Sequence, residues 1–154
     1  DEADRMKHFH TRYRQRQGGS TAVEFALVSA FGGLLIALIG SLELGRVLFY
    51  LNTANEATRL GARIAVVCDA NDSMIKSRMT YLLPVLQPEK ISVSYSPAGC
   101  ASSAENARNS CQSVTVAITG LQIDTVIPFV PFSVTMPSFS TTLTREAMNS
   151  ASCA

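Results

Sequence analysis

The stretch Gln17-Gly-Gly-Ser-Thr-Ala-Val-Glu-Phe-Ala-Leu-Val28 decides how the rest of the chain is read. It joins a basic leader to an apolar run, Phe25 to Leu42, that holds no charged residue. Residues 1–19 carry Arg5, Lys7, Arg12, Arg14 and Arg16 against Asp1, Glu2 and Asp4, a net +2 in a chain of formal charge +1. An uncharged run of that length fits a membrane-spanning helix. Positive charge on its leading side keeps the N-terminus cytoplasmic and sends the remainder outward. One acid, Glu24, sits just inside the mouth of the run. A carboxylate within a membrane helix costs about 2.5–3.5 kcal/mol on insertion scales, so its presence asks for a reason.

Residues 1–19 are expected as an unstructured polar leader, within which Met6 opens a segment able to serve as a leader by itself. From Ala22 the pattern stays helical to about Val67, and no proline occurs before Pro84. Such a helix, of about 46 residues and about 69 Å, exceeds twice the hydrocarbon thickness. Its apolar half covers about 22–42. Its second half is amphipathic, with Leu48, Leu51, Ala54, Thr58, Gly61 and Ala65 near helical spacing and Asn52, Asn55, Glu56, Arg59 and Arg63 between them.

Two readings of Glu24 follow from the residues alone. Thr21 or Ser20 can cap a helix start, with Glu24 three residues after Thr21 as in a capping box. Alternatively, the acid serves something outside its own helix. A second feature appears on counting: Ser29, Gly33, Ala37, Ser41 and Gly45 recur every fourth residue, and Ala57, Gly61 and Ala65 resume the count. Small residues at that spacing let a second helix approach closely in a membrane; the plain alternative is that apolar helices are rich in Gly and Ala.

Beyond the long helix, Asp69-Ala-Asn-Asp-Ser73 breaks the pattern, and Asp72 or Ser73 caps a short helix ending near Leu83. Ile91, Val93 and Tyr95 alternate with serines, and Val114, Val116 and Ile118 alternate with Thr and Ala, which reads as two strands. The polar segment between them is read as a loop closed at both ends by Cys100 and Cys111. A bridge there staples the hairpin tip and contributes roughly 3 kcal/mol in the chain-entropy model. Val126-Ile-Pro-Phe-Val-Pro-Phe132 is too proline-rich for a central strand. Phe139, Thr141 and Leu143 restore alternation as a last strand. The fold class is therefore α+β: a long N-terminal helix packed on a small antiparallel sheet of about three strands, with residues 68–154 forming an outer domain.

All four cysteines, Cys68, Cys100, Cys111 and Cys153, lie beyond the membrane run, where an oxidising compartment lets them pair. Four cysteines permit three connectivities; with Cys100 and Cys111 joined by the hairpin, Cys68 and Cys153 remain as the second pair. No catalytic set emerges. Both histidines, His8 and His10, stand in the leader, so no base activates a Ser, Thr or Cys downstream. The acids are scattered through caps and turns, and no metal or cofactor set is spaced for binding. The body beyond the leader, at net −1, offers no electrostatic footprint for nucleic acid.

Basic leader, Gly19, four residues, Glu24 and then a hydrophobic helix resemble the layout of type IV pilin precursors. The longer run Ala22-Val-Glu-Phe-Ala-Leu-Val28, with Glu43-Leu-Gly-Arg46 and Ala57-Thr-Arg-Leu-Gly-Ala-Arg63, resembles the TadE-like family of tight-adherence (Flp-type) pilus pseudopilins. The resemblance spans roughly Gly18 to Ala65 and implies a pilin-like architecture. It implies cleavage between Gly19 and Ser20 by a membrane prepilin peptidase, and an assembly role for Glu24 and Phe25. It further implies other pilins or pseudopilins and the pilus assembly machinery as partners. The implied location is the bacterial inner membrane, with the outer domain periplasmic and an extracellular pilus as a further destination. Many relatives carry a proline near Ser29-Ala-Phe31 and this chain does not, so no kink is expected there.

The outer domain is too large for a main shaft subunit, whose chain barely extends past its helix; the reading is a minor pseudopilin. Two alternatives stand beside it. One is an uncleaved single-pass membrane protein with an extracytoplasmic binding domain. The other is ordinary secretion with a cut near Ala37, Gly40 or Ser41, against which Glu24 argues, because a signal core gains nothing from a buried acid.

Overall fold

The computed structural model describes residues 2–127 and 131–153. Helix α1 (Glu2–Val67) is followed by α2 (Ser73–Leu82), strand β1 (Ile91–Ser96), helix α3 (Ala104–Ser110) and strands β2 (Ser113–Ile118), β3 (Gln122–Asp124), β4 (Ser133–Thr135) and β5 (Phe139–Thr144). The chain forms two compact units, one ending at Leu42 and the other starting at Glu43. The first contains the leader and the apolar run. The second takes in the amphipathic half of α1 together with everything after it.

The leader, expected as unstructured, continues the helix back to Glu2. No proline interrupts it, and its Arg, Lys, Gln and Met residues are good helix formers. The Gly18-Gly19 pair costs about 1 kcal/mol per residue, which extension of an already nucleated helix tolerates.

In the second unit, α1 buries Ala54, Ala57, Thr58, Gly61, Ala62, Ala65 and Val66, a stripe at intervals of three and four. Small side chains on that stripe let the helix lie close to a three-stranded antiparallel sheet of order β1-β2-β5. The register sets three cross-strand rows: Ile91, Ile118 and Phe139; Val93, Val116 and Thr141; Tyr95, Val114 and Leu143. Their side chains share one face because strand side chains alternate, and the central strand's Val114, Val116 and Ile118 are fully buried. The one buried polar side chain of this core among the described residues, Thr58, donates to Asn55 O at 2.8 Å and meets Thr141 Oγ1 at 3.1 Å. Helix α2 completes the core with Ile75 and Met79, and Asp72 caps it by accepting from Met74 N at 2.9 Å.

The segment between Cys100 and Cys111, read as a loop, folds into α3. Ser103 caps it by accepting from Asn106 N at 3.1 Å, and Glu105 lies in its first turn. Seven residues, only two of them alanine and none a larger apolar residue, give too short a period to read. Cys100 is joined to Cys111 and Cys68 to Cys153, with Cα atoms 5.1 and 5.3 Å apart. The last strand is β5. A two-stranded ribbon, β3 with β4, lies outside the main sheet and was not anticipated. Its apolar turn includes the proline-rich stretch, of which Pro128, Phe129 and Val130 lie outside the described residues.

The end of α1 is closed from a distance. A helix leaves its last carbonyls without partners; here Val66 O accepts from Glu146 N and Met148 N, both at 3.2 Å, and Val67 O from Asn149 N at 2.7 Å. The C-terminal segment thus caps α1, and Cys153 is cross-linked to Cys68, the residue that follows the helix.

Candidate functional site

In the first unit, Gly19, Ser20, Glu24 and Phe25 all lie within α1 and are exposed, Phe25 to 76%. Because the helix begins upstream, neither Ser20 nor Thr21 stands at a helix start. In the uncut chain the capping-box contact of Glu24 is therefore not made, because the backbone there is already bonded along the helix. Instead Glu24 Oε1 accepts from Ser20 Oγ at 3.3 Å, across one helical turn. That contact places the carboxylate one turn from the Gly19–Ser20 bond. No helix irregularity breaks the stretch around Ser29-Ala-Phe31.

The small-residue track divides into two parts with different environments. Ala57, Gly61 and Ala65 are buried within the second unit. A Cβ on Gly61 would meet Met79 Sδ, lie 3.0 Å from Met79 Cγ and stand 3.2 Å from Val116 Cγ1, so here the spacing serves packing inside the chain. Ser29, Gly33, Ala37, Ser41 and Gly45 are exposed. Nothing lies within 4 Å of a Cβ built at Gly33 or Gly45. The two serines satisfy their hydroxyls locally, Ser29 to Phe25 O at 2.7 Å and Ser41 to Leu38 O at 2.8 Å. That leaves a ridge of small side chains whose two hydroxyls are bonded to the helix's own backbone. The exposed apolar side chains around it, from Val23 to Leu42, include Phe31 at 66% and Ile36 at 74%.

Glu43 and Arg46, whose purpose the sequence did not disclose, form a clamp. Arg46 Nε and Nη2 donate to Glu43 Oε2 at 3.1 and 2.8 Å. The other carboxylate oxygen, Oε1, accepts from Val126 N at 2.9 Å. Arg46 Nη2 also donates to Asp124 O, and its guanidinium lies 5.7 Å from the Tyr50 ring centroid. The pair is partly buried, with side-chain exposures of 27% for Arg46 and 16% for Glu43. The Arg46 guanidinium first, and then the Val126 N–H, hold the Glu43 carboxyl below its usual range. One ion pair thereby ties the ribbon's turn to α1 across about eighty residues of sequence. Arg63 is exposed on α1.

A second polar cluster joins the chain's ends of structure. Arg108 Nη2 donates to Asp69 Oδ1 at 2.8 Å and Arg108 Nε to Met148 O at 2.9 Å. Ser150 Oγ donates to Asp72 Oδ2 at 2.7 Å. Arg108 principally, with Ser150, depresses the Asp69 carboxyl. The Met74 N–H, then Ser150, does so for Asp72. These contacts fix the C-terminal segment. Among the described residues, no three His, Cys, Asp or Glu side chains gather as metal ligands would.

The arrangement defines a class: among the described residues, one N-terminal helix is long and apolar enough to cross a membrane, and its chain continues into an α+β unit cross-linked by two disulfides. The model of the TadE-like protein family matches residues 19–63. That stretch holds the apolar run, the Glu43–Arg46 pair and most of the buried stripe, and through it the chain is similar to Tad pilus-associated proteins. No curated protein and no solved structure matches the chain.

Proposed function

We propose that the chain is a minor pseudopilin of a tight-adherence (type IVb, Flp-type) pilus system, a non-enzymatic subunit that supports pilus assembly, adherence or secretion. The observation that carries this reading is Glu24: an exposed acid in an apolar helix, one turn past the Gly19–Ser20 bond, at the start of the segment that matches the TadE-like family. Prepilin peptidase cuts that bond and frees the Ser20 α-amino group. Glu24 then pairs with that cation, in its own chain or in a neighbour, and so repays the cost of a carboxylate in lipid. The exposed ridge Ser29, Gly33, Ala37, Ser41 and Gly45 packs against the helix of another pilin. The mature chain resides in the inner membrane with its outer unit in the periplasm, where the cysteines oxidise.

Mass spectrometry of the membrane-purified protein tests this. Ser20 at the N-terminus, and retention of the leader by Gly19→Arg, are the expected results. A Glu24→Ala chain is expected to be cut and inserted yet fail to support piliation. A chain that keeps residues 1–19 in a strain with active peptidase would instead be a single-pass membrane protein with an external binding domain. A chain starting near Ser41 would be an ordinary secreted one.

A further inference from the structure

Strand β5 leaves one side of the main sheet open. In the order β1-β2-β5 it is an edge strand, paired with β2 alone. Just past its end, Arg145 N donates to Gln112 O at 2.9 Å. Counting back along the antiparallel register, Leu143, Thr141 and Phe139 turn their backbone groups to β2, so Thr144, Thr142 and Ser140 turn theirs to the open side. The hydroxyls of Thr142 and Thr115 meet at 2.7 Å, as side chains of a non-hydrogen-bonded pair can because they stand closer. Ser140, Thr142 and Thr144 are exposed, and among the described residues nothing bonds their outward N–H and C=O groups.

Water can satisfy such groups, but an edge left to water is ordinarily guarded by lysine, proline, a bulge or a covering element. β5 has none of these. Phe139–Thr144 contains neither charge nor proline, and it matches β2 residue for residue without a bulge. No charged residue occurs in the chain from Thr125 to Thr144. The opposite edge, β1, has the turn Cys100–Ser102 packed against it, whereas only β2 lies beside β5 among the described elements. The two faces of β5 differ: Ser140, Thr142 and Thr144 carry hydroxyls outward, while Phe139 and Leu143 meet the core only half-buried. The complement of this edge is therefore an extended, uncharged backbone with apolar side chains on the α1 side and small polar ones on the other.

We propose that β5 is a docking edge, on which an extended, uncharged segment of a neighbouring pilin adds as a fourth strand of the sheet. Main-chain hydrogen bonds to Ser140, Thr142 and Thr144 give the affinity. The covering of Phe139 and Leu143 sets the register, since a slip by one residue would turn the added strand's apolar side chains to solvent. The inference rests on the chain being a pilus subunit, and the experiment separates the two.

The full-length protein is purified alone and, from cells that make its pilus system, with the pilins bound to it; amide exchange is read residue by residue in both. In the chain alone, the amides of Thr141 and Leu143 are expected to exchange slowly and those of Ser140, Thr142 and Thr144 fast. With pilins bound, the latter three should slow by at least about tenfold. Pilins recovered with Ser140, Thr142 and Thr144 still fast overturn the proposal and leave the pilus reading standing. Recovery of no pilin removes that reading, and the proposal with it. Slowing that appears equally when the chain alone is concentrated makes a second copy the occupant and overturns the pilin strand. Thr142→Pro is the second arm: it deletes an outward N–H and no bond of the ladder, so slow exchange should persist at Val114 and Val116. That variant should either release the pilins or leave Ser140 and Thr144 fast beside them; protection equal to the parent's would overturn the proposal. If proline unfolds the sheet, seen as fast exchange at Val114 and Val116, the exchange pattern of the unaltered chain still decides.

Discussion

Gly61 on α1 and Met79 on α2 stand so close that a methyl group on the glycine would strike the sulfur of the methionine. Met79 is fully buried, and on the other side Val116 Cγ1 stands 3.2 Å from the same point. The thioether can turn, but the branched side chain on the central strand cannot. Alanine gains about 1 kcal/mol of helix propensity over glycine, while overpacking a filled core costs about 1–3 kcal/mol. Gly61→Ala is expected to destabilise the second unit by about 1 kcal/mol net, read as a lower unfolding midpoint in denaturant. Gly61→Leu should prevent its folding. An alanine variant more stable than the parent would mean that Met79 has room to move.

Arg46 offers Nε and Nη2 together, serving Glu43 and the carbonyl of Asp124 with one planar group. Lysine has a single ammonium and lacks that geometry. Arg46→Lys and Glu43→Ala are both expected to loosen the ribbon while leaving the main sheet intact. Amide exchange checks this: protection should fall at Thr125 and Val126 and persist at Val114 and Val116. Uniform loss of protection would make the pair a determinant of the whole fold instead.

The contrast between Gly61 and Gly33 shows how far the sequence could be read. The four-residue spacing of small side chains was visible, but not its division into an internal packing stripe and an exposed ridge. That division depends on where the sheet lies, and the helix carries no mark of it. The main strands were legible because Ile91, Val93 and Tyr95, then Val114, Val116 and Ile118, alternate cleanly. The ribbon was not, since three-residue strands separated by prolines give no period. Glu43 and Arg46 stood out as a pair, yet their partners Val126 and Asp124 contribute backbone atoms, which any sequence would supply. The capping of α1 by residues 146–149 was hidden for the same reason.

Acid should release the C-terminal segment first. The Asp69 and Asp72 carboxyls are both held below their ordinary value of 3.8 in the folded state, by Arg108 and by the Met74 N–H respectively. A carboxyl depressed on folding contributes stability that is whole above the unfolded value and is lost as pH falls through the folded one. Stability should thus stay level down to about pH 4 and decline below it as these two groups take up protons. Asp69→Asn is expected to shallow that decline while lowering stability at neutral pH. Thermal melts of both proteins across the acid range decide the matter; parallel curves would show that Arg108 gains nothing from Asp69.

Leucine at Gly33 tests whether the exposed ridge meets another helix. In the chain by itself the change is harmless: nothing lies within 4 Å of a Cβ there, and leucine is the better helix former by nearly 1 kcal/mol. Ile36→Leu, at a 74% exposed position of the same run, alters neither volume nor polarity appreciably. Both variants should therefore insert into membranes and fold alike. They diverge only if a neighbour lies along the ridge, where the added side chain would hold the two backbones apart and forfeit close packing. Gly33→Leu is expected to be produced, cut and membrane-bound but to lose co-purification with other pilins, whereas Ile36→Leu retains it. Equal recovery of partners by the two variants would leave Ser29, Gly33, Ala37, Ser41 and Gly45 as composition without a contact.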